Sequence, residues 1–171
     1  IVTSYKGFIT CESELGKGTI FHIYFPAASQ EVTSEAKQIE EVPLGREHIL
    51  FVDDEELLAE LYSEMLELLG YEVTARTSSL DALNTFQNEP ERFDIVITDL
   101  TMPGMTGTDL AKRIMQIRPG LPIILCTGYS SLISEEKARG SGIKAFAEKP
   151  LGIKDLSVLI RKVLDESKLP E

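Results

Sequence analysis

The chain has 171 residues, 43% of them hydrophobic and 26% charged, and its 17 Lys and Arg against 28 Asp and Glu give a net charge of −11. So acidic a balance argues against a nucleic-acid-binding surface, and the size suits one good core plus an appendage rather than two full-sized domains. No apolar stretch approaches the roughly 18–20 residues of a membrane-spanning helix and no secretory signal opens the chain, so a soluble, cytoplasmic protein without membrane contact is expected. Cys11 and Cys126 are far apart and outside any CxxC spacing, which argues against a disulfide framework or a thiolate metal site. Cys126 reads as a small buried hydrophobe. The first residue is Ile1 rather than Met, so an excised piece of a longer polypeptide is expected.

In chain order, residues 1–26 form a short first segment. Residues 27–45 lack aromatics, hold few large aliphatics and are rich in Glu, Ser and Gln. That composition buries too little apolar surface to offset its ordering entropy and reads as a linker. From residue 46 to 171, short apolar runs alternate with stretches of helical period, which argues for an α/β fold, a three-layer α/β/α sandwich around a parallel sheet. The runs are His48–Val52, Tyr71–Ala75, Phe93–Thr98, Pro122–Cys126 and Ile143–Ala147, predicting five strands. Between the first two, Leu57, Leu58, Leu61, Met65, Leu68 and Leu69 share one helical face, Asp54 and Glu55 sit where the helix dipole favours negative charge, and Gly70 is a stop. Further helices are predicted over Ser79–Asn88, Thr108–Ile117, Ile133–Gly140 and Lys154–Glu166.

At the carboxyl ends of the runs stand Asp53 and Asp54, then Asp99, Thr127 and Lys149. In an open parallel sheet these ends share one edge, so topology alone gathers three carboxylates, a hydroxyl and an ammonium into one crevice. Three carboxylates closing together repel unless a cation is present, and hard oxygen ligands with room for water suit Mg²⁺. With a cation and Lys149 beside Asp99, an incoming phosphoryl group is neutralised from two sides, Thr127 can hydrogen-bond another of its oxygens, and Asp99 is the nucleophile. Taken alone, Asp53–Glu56 is an ordinary acidic helix start, and Met102-Pro103-Gly104 an ordinary turn. Their joint spacing with Asp99, Thr127 and Lys149 favours the functional reading. His22 and His48 read as strand residues. Tyr129, two positions beyond Thr127, reads either as a loop aromatic or as a shield of the phosphorylated site from water.

The motifs FVDDEE at 51–56, DLTMPGMTG at 99–107, LCTGY at 125–129 and FAEKP at 146–150 together resemble the receiver domains of bacterial two-component signalling. The resemblance implies a flavodoxin-like receiver fold with sheet order 2-1-3-4-5 and a cis peptide between Lys149 and Pro150. It implies that Asp99 is the phosphoacceptor, that Asp53, Asp54, Asp99 and the carbonyl of Thr101 hold Mg²⁺, and that Thr127 and Lys149 contact the phosphoryl group. Thr127 and Phe146 occupy the switch positions, and Phe146 lacks the hydroxyl a Tyr would bring. The implied partner is a histidine kinase dimerisation and phosphotransfer domain or a histidine phosphotransfer protein, and no enzymatic turnover is expected of this chain beyond its own phosphorylation.

Residues 1–26 resemble the end of a histidine-kinase ATP-binding domain, with Phe8–Glu12 and Thr19–Phe25 as adjacent strands around the turn Gly16–Thr19. The implied parent is a hybrid sensor kinase, anchored to a membrane, if at all, through upstream regions. The other boxes of that domain are missing here, so no kinase activity is expected, and unpaired strand edges are expected to promote homodimers. With little chain beyond the last helix, no output domain is expected to follow. An aspartyl-nucleophile phosphatase is the enzyme alternative, but such enzymes of the haloacid-dehalogenase type usually place a second Asp two residues after the nucleophile, where Thr101 stands. A flavin or nucleotide module is disfavoured because Asp53–Glu56 would repel phosphate.

Overall fold

The computed structural model describes residues 2–3, 6–27, 42–128 and 143–167, in two compact units, residues 1–40 and residues 41–171. In the first, β1 (Phe8–Glu14) and β2 (Gly18–Tyr24) form an antiparallel hairpin in which Phe8 faces Tyr24 and Ser13 faces Thr19. Gly16 and Gly18 both adopt positive φ, 80° and 104°, which tightens the turn where a side chain would be strained. One face of the ribbon carries Ile9, Ile23 and Phe21, all exposed within this unit.

The second unit runs β3 (His48–Val52), α1 (Glu56–Leu68), β4 (Glu72–Arg76), α2 (Ser79–Asn88), β5 (Ile95–Asp99), α3 (Gly107–Ile117), β6 (Ile123–Thr127), β7 (Ala145–Glu148) and α4 (Ile153–Ser167). The five strands are parallel in the order β4-β3-β5-β6-β7. Numbered within this unit that order is 2-1-3-4-5, as the resemblance implies. The predicted helix Ile133–Gly140, Tyr129, most of the linker and the tail 168–171 lie outside the described residues.

β3 and β5 are buried along their whole length, so their alternate residues serve two cores. Leu50, Val52 and Val96 pack with Leu83 and Phe86 of α2 and Leu110 and Ile114 of α3. Ile49, Phe51, Ile95 and Ile97 pack on the other side with Tyr62 and Leu66 of α1 and Ile160 of α4. Helix α3 starts with a reciprocal cap, in which Thr106 Oγ1 accepts from the Asp109 amide and donates to the Asp109 carboxylate.

Two sequence expectations are corrected. Of the predicted face, Leu58, Met65 and Leu69 pack into the core with Ala59, Tyr62 and Leu66, whereas Leu57 and Leu68 are 79% and 80% exposed and Leu61 is also exposed. The leucines fill an arc wider than the sheet can cover, and the leading edge of that arc is left to solvent. The second unit also begins before residue 46, since Val42 packs into the α1/α4 core and Gly45 N donates to Leu69 O at 3.0 Å. Composition marks low hydrophobicity and is blind to contacts made by backbone.

Candidate functional site

The carboxyl ends of β3, β5, β6 and β7 lie at one edge of the sheet, and each delivers one group. Asp53 directly follows β3 and is only 1% exposed. Its Oδ1 accepts from the Glu55 amide at 3.1 Å and its Oδ2 from Lys149 Nζ at 2.6 Å. Helix α1 starts without a side-chain cap from Glu55. Asp99 ends β5 and is 8% exposed. Its Oδ2 accepts from the Thr101 amide at 2.8 Å and its Oδ1 lies 2.6 Å from Lys149 Nζ.

Lys149 follows β7, and its amide donates to Thr127 O at 2.8 Å, so its backbone is fixed to the end of β6 while its side chain reaches β3 and β5. The Lys149–Pro150 peptide is cis. Burial alone would pull the Lys149 ammonium down, but hydrogen bonds and charge from Asp53 and Asp99 outweigh it and hold the group above the ordinary lysine range. The Cys126 thiol, beneath the site, is pushed up to about 12 by burial and is a neutral core group.

The structure thus joins Asp53, Asp99 and Lys149 in one contact. Thr127 ends β6 at the same edge and is half-buried, and Phe146 packs partly buried against the core between the sheet and helices α2 and α3. Asp54 and Thr101 are exposed at the rim. Among the described residues, no three His, Cys, Asp or Glu side chains are gathered closely enough to hold a metal. The expected triple closure of carboxylates is replaced by two carboxylates bridged by an ammonium, because Asp54, one residue beyond Asp53, turns out to solvent. The donor set still fits a hard dication: Asp53, Asp54, Asp99 and Lys149 together carry a net charge of −2, and every free donor is oxygen.

Sequence reasoning missed the backbone donors of Glu55 and Thr101, and it missed Gly107. A Cβ on Gly107 would overlap the Asp99 carbonyl oxygen, and its amide donates to Leu100 O at 3.0 Å, so the start of α3 lies directly against the backbone that carries Asp99. A glycine at a predicted helix start, where a good helix former is expected, is the signal that marks such an approach.

With this geometry, the model of the response regulator receiver domain matches residues 49–161. The chain belongs to that family. It is 28% identical over 175 residues to Sensor kinase CckA of Brucella abortus (strain 2308), a match covering 97% of this chain and 18% of that protein. It is 31% identical over 163 residues to the Aerobic respiration control sensor protein ArcB of Escherichia coli (strain K12), covering 93% and 21%. The chain therefore spans about a fifth of the length of these curated relatives. A response regulator receiver domain protein from Clostridium thermocellum superposes with a TM-score of 0.69 at 32% identity, over 71% of this chain and 97% of that one. The receiver is the response-regulator module of two-component phosphorelays. None of the described helices is long and apolar enough to cross a membrane.

Proposed function

We propose that this receiver accepts a phosphoryl group from a phosphohistidine onto Asp99. The observation that carries the reading is the Asp99 carboxylate itself, buried, held by one backbone amide at 2.8 Å and one ammonium at 2.6 Å. In the step, an Asp99 oxygen attacks phosphorus, the P–N bond to the imidazole breaks, and the departing ring nitrogen keeps the electron pair and takes a proton. The product is an aspartyl phosphate. Lys149 lies where it neutralises a phosphoryl oxygen, and the Thr127 hydroxyl lies at the same edge to bond another. Asp53, Asp54, Asp99 and the Thr101 carbonyl would hold Mg²⁺, which when bound supplies charge neutralisation to the transferring group.

The proposed donor is a histidine kinase phosphotransfer domain or a histidine phosphotransfer protein. The exposed Leu57 and Leu61, on the first two turns of α1 next to Asp53, give such a partner an apolar foothold at the site's edge. The proposed parent is a cytoplasmic segment of a hybrid sensor kinase with residues 1–26 as the end of its ATP-binding domain. Support comes from coverage: the sensor kinases match 93% and 97% of the chain, whereas the receiver structure covers 71%. Exposed apolar side chains on the hairpin support self-association of the isolated chain. With Mg²⁺ and acetyl phosphate, intact mass should show one added phosphoryl group in the wild type and none in Asp99→Asn. Equal labelling of the variant refutes the assignment.

A further inference from the structure

Residues 42–47 have no regular secondary structure, yet they are fastened to the receiver at successive points. Val42 packs against the core between the sheet and helices α1 and α4. The Ser157 hydroxyl, on α4 and fully buried, donates to the Pro43 carbonyl. Gly45 donates its amide to Leu69 O at 3.0 Å, and a Cβ there would overlap the Tyr71 ring. Gly70, at φ 91°, closes α1, and a Cβ on it would stand 2.6 Å from the Gly45 carbonyl oxygen. Glu47 pairs with Arg161 at 2.8 Å, and the Arg161 guanidinium lies 5.6 Å from the centre of the Tyr71 ring.

We propose that residues 42–47 are a strap clamped against α1 and α4, which roots the receiver's tether at the edge of the sheet opposite Asp99. The placement follows from topology. The strap meets the end of α1, the residue before β4 and the start of β3, all at the amino-terminal edge of the strands, whereas Asp53, Asp99 and Lys149 stand at the carboxyl edge. Two close backbone approaches, one buried side-chain hydrogen bond and one ion pair act on six residues. A passing linker has no need of them, and Gly45 is required only because the strap lies against Tyr71, whereas Gly70 is also demanded by its positive φ at the end of α1. Pull from the chain upstream is then taken up by α1 and α4, and the acidic edge points away from the root. In an intramolecular relay the distance between donor and receiver sets the effective concentration of the donor, so the position of the root bears on transfer, a consequence that rests on the proposed parentage, while the strap itself does not.

The test uses the complete chain, with trypsin cutting after Arg46 inside the strap and amide exchange at Gly45. Ser157→Ala removes one fastener without adding volume, and Gly45→Ala drives a methyl into Tyr71. Each should speed cleavage after Arg46 by about tenfold, the scale of one buried hydrogen bond, with cleavage after Lys17 in the hairpin and labelling by acetyl phosphate unchanged. The Gly45 amide should exchange slowly in the wild type and fast in Ser157→Ala. Equal cleavage after Arg46 in wild type and Ser157→Ala, or a wild-type Gly45 amide exchanging at the rate of an unstructured chain, overturns the strap. Should Gly45→Ala fail to fold, those two measurements decide alone. Because they involve no phosphoryl group, a failed relay leaves them standing, and a failed strap leaves the relay standing.

Discussion

Lys149→Met isolates what the ammonium does for the site. Lys149 Nζ stands 2.6 Å from Asp53 Oδ2 and 2.6 Å from Asp99 Oδ1, so those oxygens are at most twice that, or 5.2 Å, apart. At that separation and an effective dielectric of about 20, two unit negative charges repel by about 3 kcal/mol. The estimate falls at the low end of the roughly 3–5 kcal/mol typical of breaking a buried ion pair from one side. Urea unfolding followed by far-UV circular dichroism in EDTA should show the variant about 3 kcal/mol less stable. Millimolar Mg²⁺ should narrow the gap by at least about 1 kcal/mol, because a dication neutralises the two carboxylates that lost their ammonium. Asp53→Asn placed on Lys149→Met should recover most of the loss, since one carboxylate has nothing to repel. A variant as stable as wild type in EDTA, or Mg²⁺ stabilising both proteins equally, refutes the reasoning.

Three further outcomes are expected. Gly107→Ala forces α3 away from the Asp99 carbonyl; overpacking of this kind costs about 1–3 kcal/mol, and acetyl phosphate labelling should slow along with a lowered melting temperature, so unchanged labelling and melting would rule out the close approach. Burial pushes the Glu47 carboxyl up, but hydrogen bonds from Arg161 and the Arg46 amide more than reverse this and bring it from 4.5 to about 2. A depressed carboxyl contributes stability above its unfolded value and loses it as pH falls, so the stability difference between wild type and Arg161→Met, up to about 3 kcal/mol, should be full above pH 4.5 and fade towards pH 2; a difference constant in urea titrations across that window contradicts the pairing. Leu57→Lys with Leu61→Lys should leave folding and acetyl phosphate labelling unchanged, both positions being exposed, and slow transfer from a phosphohistidine protein by about tenfold or more, the scale of one lost contact of about 1.4 kcal/mol; equal transfer rates would remove α1 from the docking face.

The strands and the edge of the site were readable from residue type and spacing, because in a parallel sheet a strand's last residue is placed by topology whatever its side chain does. Asp53, Asp99 and Lys149 meet for that reason, over a sequence distance of 96 residues between the first and last. What a side chain does beyond that edge is not topological. Adjacent residues in a turn point different ways, so a sequence with Asp53 and Asp54 side by side does not reveal that one is buried and the other exposed. Helix α1 shows the same limit. Its period is unmistakable, but six leucines and methionines fill more of the circumference than one sheet covers, and the inward arc is the one centred on Ala59, Tyr62 and Leu66, where the Tyr62 hydroxyl accepts from the Leu151 amide at 3.1 Å. The strap was unreadable for a third reason: the side chains that fasten it, Ser157, Arg161 and Tyr71, stand far from it in sequence, and all but Arg161 meet backbone groups that every residue carries.

Under the proposed reaction, Lys149 links a change at Asp99 to elements beyond it. Its side chain holds Asp53 and Asp99, its amide holds the end of β6 at Thr127, and it directly follows β7, which carries Phe146. Under the proposed reaction a phosphoryl group on Asp99 competes for the same ammonium. One added charge about 4 Å away, at an effective dielectric of about 20, is worth about 4 kcal/mol. Inverting a two-state equilibrium from 1:99 to 99:1 needs about 5.5 kcal/mol, so the ammonium alone falls short. A hydrogen bond from Thr127 to a charged oxygen adds about 1.5–3 kcal/mol, which closes the difference. A phosphoryl group that reaches both residues can therefore bias the β6 and β7 ends decisively, and one that reaches only Lys149 cannot.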